Sequence, residues 1–197
     1  MVLPKVFTSC WAAISENGEF VAFMNLLFFG GLFATTLVAK FLFPSSLYLG
    51  WRADVPEFLL DTGWPLMLLG VFLFNLGLSA FVFVTLPGFV FFPLSAVTLM
   101  YRAFLWGMLL QNVPNWLLIA VLPMLILEGE AYVFAGVAGS IVGLSWLKPM
   151  WLYRQERLSR KEAIKYSLKE ALSFYLVVVL LLVVAAIVET ATISLLV

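Results

Sequence analysis

Apolar runs long enough to cross a bilayer alternate along this chain with short polar connections. A helix rises 1.5 Å per residue, so a hydrocarbon core of about 30 Å takes about 20 apolar residues. Phe20 to Leu42 is the first such run, Trp64 to Leu86 the second, Phe89 to Gln111 the third and Glu170 to Val197 the last. Between the third and the last lies Asn115 to Trp146, a stretch of 32 residues that is too long for one straight crossing and short for two. It predicts a partial helix over Trp116–Leu127, re-entrant or interfacial, a break at Gly129, and a completed crossing over Ala131–Leu147. The expected fold is therefore all-α: a polytopic helical membrane protein with about five crossings plus a re-entrant or broken helix, read as a single transmembrane domain over residues 1–197.

The connections carry the polar residues. Val6 to Ile14 fits a short interfacial helix ahead of the first span. Phe43 to Gly63 holds Arg52, Asp54, Glu57 and Asp61, with Asp61 or Thr62 placed to cap the next helix. Pro87–Gly88 ends the second run, and it marks either a tight hairpin or a break at depth beside a cavity. Pro93 adds a kink. Residues 148–170 form a basic segment joining the last two spans. Lys148–Lys169 alone has seven basic and two acidic residues. Within it, Ser159 followed by Glu162 is a capping box that opens a helix at Arg160.

Composition sharpens this picture. Charged residues are 11% of the chain against about 25% in a soluble domain, hydrophobic residues are 64%, and mean hydropathy is +1.09. There is no histidine, and Cys10 is the one cysteine. That removes histidine-based catalysis, structural zinc and an intrachain disulfide. No nucleophile–base set or acid–base pair with a metal-ligating partner is present, so the chain reads as non-enzymatic, with no catalytic residues, no metal and no cofactor. A net charge of zero offers nothing to a nucleic acid. The expected partners are the lipid bilayer, further copies in a homo-oligomer, and other membrane or envelope proteins. No cleavable leader is expected, the first apolar run itself serving for insertion. The positive-inside rule puts 148–170 on the cytoplasmic side of the cell membrane. Five crossings then place the N-terminus in the cytoplasm and the C-terminus outside, with the acidic loop 52–61 outside.

Three groups of residues stand out within the apolar runs. Glu128 and Glu130 flank Gly129, and Arg102 lies in the third run; charges in lipid need a partner or water. On a continuous helix, positions two apart diverge by about 200°, so both glutamates reach one partner only if Gly129 breaks the helix. Glu128 is the better candidate for burial, with Arg102 as its counter-charge or else snorkelling from a span end. Ala135, Gly136, Gly139, Ser140 and Gly143 recur at spacings of three and four, a pattern for close helix packing, within one chain or between chains. The basic stretch Arg154–Lys169 suits anionic headgroups or acts only as a topology signal.

Two segments resemble the stage II sporulation protein M family. Pro123-Met124-Leu125-Ile126-Leu127-Glu128, then Ala131 and Ala135-Gly136-Val137-Ala138-Gly139, is similar to that family's proline, His-Gly, apolar pair and glutamate leading into an Ala-Gly-x-Ala-Gly helix. Upstream, Phe74-Asn75, Pro87-Gly88 and Tyr101-Arg102-Ala103-Phe104-Leu105-Trp106-Gly107 resemble its asparagine-led helix. The family's histidine falls on Met124 and a usual asparagine on Arg102. The resemblance implies a polytopic membrane protein. In spore formers, its namesake is a scaffold during engulfment that recruits cell-wall-degrading partners. Two functions are therefore open: a non-enzymatic membrane scaffold or organiser, or a transporter or channel for an ion or small solute using Glu128, Glu130 and Arg102 as its path.

Overall fold

The computed structural model describes residues 5–42, 63–111, 113–153 and 158–196. The acidic loop 52–61, the expected caps at Asp61 and Thr62, and Arg154 lie outside them. Seven helices make up the described chain: α1 (Lys5–Glu16), α2 (Gly18–Leu42), α3 (Trp64–Val90), α4 (Pro93–Leu110), α5 (Asn115–Leu147), α6 (Pro149–Leu152) and α7 (Arg160–Leu196). Five of them, α2, α3, α4, α5 and α7, are long and apolar enough to cross a membrane.

Helix α5 is the axis. It packs against α2, α3, α4 and α7, which form an arc in the order α2–α4–α3–α7. From Ala131 to Gly143 every residue except Phe134 is buried, as expected for a helix that is apolar all round. The expected break at Gly129 does not occur: α5 runs unbroken for 33 residues, about 50 Å, and even Pro123 inside it leaves it whole. The glycine has a different purpose. A Cβ there would lie 2.7 Å from the rings of both Phe28 and Phe29 on α2. The small residue admits two aromatic rings and has no need to relax the backbone. The excess length of α5 takes the helix beyond the hydrocarbon core rather than folding back into it.

Irregular winding sits elsewhere. Leu26–Gly30 in α2 and Phe74–Thr85 in α3 are π-helical. In α3 the wide turn keeps Val71, Asn75, Ser79, Val84 and Gly88 buried, at spacings of four or five. That period holds one face against α5 where an α-helix would rotate it away. The wide register also carries α3 through Pro87–Gly88: Leu86 N–H donates to the Phe81 carbonyl, five residues back. The proline's missing donor therefore falls where the ladder is already altered, and the helix ends at Val90.

The turn at Phe91–Phe92 is a tight hairpin, closed by Leu94 N–H donating to Phe91 O at 2.9 Å and tied down by side chains around it. Ser140 Oγ donates to Phe92 O at 2.9 Å, Trp146 Nε1 to Phe89 O at 2.8 Å, and Ser95 Oγ to Val84 O at 2.8 Å. Backbone oxygens at membrane depth need such donors. Pro93 starts α4 at its first turn and does not kink it. The last span is longer than its apolar run: α7 is one helix of 37 residues that includes the basic stretch from Arg160. Its start carries the expected capping box, with Ser159 N–H and Oγ donating to Glu162 Oε2 at 2.9 and 2.7 Å. Lys148 Nζ stands 3.7 Å over the Trp151 ring on α6. Helix α1 lies on α7, where Cys10 Sγ reaches Ser173 O at 3.4 Å, with Trp11 74% exposed on its other side.

Candidate functional site

Four helices contribute to one polar network inside the bundle. Glu128 of α5 is 4% exposed. Asn75 on the wide segment of α3 donates Nδ2 to Glu128 Oε1, and its Oδ1 accepts from Tyr132 Oη at 3.1 Å. Tyr132, one turn beyond Glu128 on α5 and fully buried, accepts at the same oxygen from Arg102 Nη2 of α4 at 2.9 Å. Ser79 of α3 also hydrogen-bonds that hydroxyl. The Arg102 guanidinium sits 4.1 Å from the Tyr132 ring centroid and 5.5 Å from that of Trp106, a cation–π arrangement that offsets part of its desolvation. On the other side, Glu128 hydrogen-bonds side chain to side chain with Glu189 of α7.

The network balances its charge. A hydrogen bond between two carboxyl groups needs a proton on one of them, since a carboxylate only accepts. One proton shared by Glu128 and Glu189 would leave the pair a single negative charge against the positive charge on Arg102. Asn75 and Tyr132 stand between the charges and are each used as donor and acceptor. Arg102 and Glu128 interact through the field and through these two side chains. Arg102 is not a residue snorkelling from a span end: it lies in the middle of α4 and is turned inward over Tyr132.

Glu130 is elsewhere. Because α5 is continuous, Glu130 points about 200° away from Glu128 and meets Asn25 of α2. The three residues expected to line one path therefore separate into two places, with Glu128 and Arg102 in the network and Glu130 outside it. In the sequence Glu189 lies near the far end of the last apolar run, and only the packing of α7 on α5 brings it to Glu128.

The small residues form a second feature, packed within the chain. A Cβ on Gly139 would meet Thr85 O at 2.5 Å and Ser95 Oγ at 2.6 Å, and one on Gly88 would meet the Gly139 carbonyl carbon at 2.8 Å. Here α5 touches α3 backbone to backbone and meets the Ser95 hydroxyl at the start of α4. Ala135 and Gly143 are buried in the same seam, while Gly136 has ordinary room, 3.5 Å from Val84. Beside the seam, Thr85 Oγ1 reaches Ala135 O at 3.0 Å and Tyr175 Oη of α7 at 2.6 Å. On α2, Gly31 faces Ala103 at 3.6 Å, and a Cβ on Gly107 would meet Thr35 at 2.6 Å. Among the described residues, no group of three or more potential metal ligands comes together.

Both sequence segments that carry the family resemblance contribute to the network, Phe74-Asn75 through Asn75 and the Pro123–Glu128 segment through Glu128. The family model for stage II sporulation protein M matches residues 20–192, from the start of the first span to the end of the last. No curated protein and no solved structure gives a significant match. With most of its length matched and its five apolar helices, the chain is a membrane protein and belongs to the stage II sporulation protein M family.

Proposed function

We propose that the chain is a non-enzymatic membrane scaffold that organises other membrane or envelope proteins, and that its polar network is the lock of the scaffold. The observation that supports this reading is that the polar groups of the network turn on one another inside the bundle, Glu128 to Asn75 and Glu189, and Tyr132 to Asn75 and Arg102, with Arg102 Nε alone among the atoms of Arg102, Asn75 and Tyr132 left buried without a partner. A solute path needs polar groups available to the solute, whereas a lock needs them used up. Buried hydrogen-bonded networks rigidify a core and specify one arrangement of helices in proportion to how many of their groups are paired. In lipid, where apolar contact between helices is no better than contact with lipid, such bonds also decide which helices meet. In this reading the basic segment 148–170 faces the cytoplasm and the end of α7 lies outside.

A second reading, transport of an ion or small solute, draws on the carboxyl pair, since intramembrane carboxylates mark proton and ion paths in many membrane proteins.

Thiol accessibility separates the two. Single cysteines are placed from Ile126 to Gly136 in a Cys10→Ser background and treated with a membrane-impermeant maleimide. Protection at 128, 131 and 132 is the outcome expected of a scaffold. Labelling there would mean that water reaches the network, and the transport reading would replace it.

A further inference from the structure

The first turns of α7 carry cations that nothing in the described chain answers. Lys161, Lys165 and Lys169 recur every four residues and are all exposed, so they run down one face of the helix. Among the described residues, no carboxylate pairs with them. Glu162 stands among them, but its Oε2 accepts from the N–H and hydroxyl of Ser159, and Glu170 accepts from the Tyr153 hydroxyl at 3.0 Å. The same face continues as Leu172, Leu176 and Leu180, which are 68%, 47% and 56% exposed. A line of lysines thus passes into a line of leucines on one unbroken helix, Arg160–Leu196.

The bundle fixes the depth of that passage. Ser167 Oγ donates to Ser145 Oγ at 2.9 Å, which sets Ser167 of α7 level with Ser145 of α5. The second meeting of these helices, Glu128 with Glu189, shows that they run antiparallel. At 1.5 Å per residue, Lys148 at the end of α5 then stands about 5 Å beyond the serine level and Lys165 about 3 Å beyond it on the same side, with Lys169 about 3 Å within. Exposed aromatic rings share this level. Lys148 Nζ lies over Trp151, and the Tyr166 ring meets that of Tyr153 at 6.0 Å between centroids. Exposed indole and phenol rings at a span end belong to the headgroup level, to which lysine stems also reach. We propose that this face of α7 binds an anionic phospholipid. Its phosphate lies between Lys165 and Lys169, with Lys161 beside it, and an acyl chain runs along Leu172 and Leu176. A topology signal needs only enough positive charge on one side of the bilayer. A line that turns from cationic to aliphatic at headgroup level fits a ligand with the same order of parts, which a free phosphate lacks. The site is independent of the scaffold reading, which the polar network alone supports.

The test is lipid retention, read by native mass spectrometry in a non-ionic detergent with phosphatidylglycerol or phosphatidylcholine of the same acyl chains. The wild type retains the anionic lipid in preference. Lys161→Gln, Lys165→Gln and Lys169→Gln together lower that preference about a hundredfold, and Lys165→Gln alone about fivefold, the scale of one charge near an anionic surface. The single variant keeps the question decidable if the triple variant fails to fold. Arginine at the same three positions retains the preference, and Lys40→Gln, at an exposed lysine near the end of α2, leaves it unchanged. Equal retention of both lipids by the wild type, a preference that survives the glutamine variants, or an equal fall in Lys40→Gln overturns the site. Displacement of the lipid by inorganic phosphate at constant ionic strength also overturns it, since a phosphate without chains would then suffice. Thiol protection at 128, 131 and 132 in a protein with no lipid preference would overturn this site while leaving the scaffold intact.

Discussion

Glu128 on α5 and Glu189 on α7 share a hydrogen bond inside the bundle, and Arg102 on α4 supplies the one positive charge that balances them. The relationship ties the central helix to the last one through their carboxyl groups.

It makes a non-additive prediction. Glu128→Gln or Glu189→Gln replaces the shared proton by an amide donor and keeps one negative charge opposite Arg102. Each single variant should lose less than about 1 kcal/mol. Glu128→Gln with Glu189→Gln leaves Arg102 without its counter-charge, and the loss should be about 3 kcal/mol, more than the two single losses together. Thermal unfolding in detergent of the four proteins measures this; additive losses would mean that the three charges do not act as one set.

Tyr132→Phe keeps the ring under the Arg102 guanidinium and deletes the hydroxyl that joins Arg102 to Asn75. Arg102, Asn75 and Ser79 each lose a partner, at a cost of about 2 kcal/mol. Tyr132→Leu also removes the cation–π contact and the edge contact with Trp106, and it should melt lower still. Equal melting temperatures for the phenylalanine variant and the wild type would show that the hydroxyl is not part of the lock.

Glycines of one stripe should respond differently to alanine. Gly139→Ala drives a methyl into Thr85 O and Ser95 Oγ, where backbone must move, and should cost about 2 kcal/mol or more. Gly136→Ala meets nothing closer than 3.5 Å and should be neutral or stabilise by a few tenths of a kcal/mol through helix propensity, which favours Ala by about 1 kcal/mol at most. The comparison is read from unfolding in detergent. A reversed order would put the close approach of α3 and α5 in the wrong place.

Ser159→Ala removes the hydroxyl half of the capping box at the start of α7. The loss should be local, about 1 kcal/mol at most for an exposed cap. Amide exchange should speed up over 160–163 and stay unchanged beyond residue 170. Faster exchange along the whole helix would mean that the cap holds the span itself.

The all-α membrane class, the number of crossings, the capping box and the family were legible in the sequence, because each depends on local composition or spacing. Hydropathy over 20 residues reports insertion whatever the neighbours are. A Ser and a Glu three apart form their bonds within one turn. The family's glutamate and asparagine, now Glu128 and Asn75, could be named though not joined. Gly129 misled for a physical reason: a glycine beside two charges is the mark of a break in an isolated helix, but against Phe28 and Phe29 it is the mark of a close approach. Gly136, Gly139 and Gly143 look alike in sequence and differ in what faces them, backbone at Gly139 and Gly143 and ordinary room at Gly136.

Tertiary structure decided everything that needed a partner from another helix. Glu189 could not be placed, because a helix of 37 residues slides its end past any fixed depth and only packing on α5 sets the register. Tyr132 is one aromatic among many until Arg102 and Asn75 arrive at its hydroxyl. The separation of Glu128 from Glu130 follows from whether α5 breaks, and α5 runs unbroken through Gly129, where Phe28 and Phe29 of α2 pack on it. The chain's own pattern determined that helices form and enter the membrane, since that is a balance struck between each segment and lipid. Which charges meet was decided only by the bundle, because at membrane depth no water competes and a polar side chain binds whatever the packing of distant segments brings within reach.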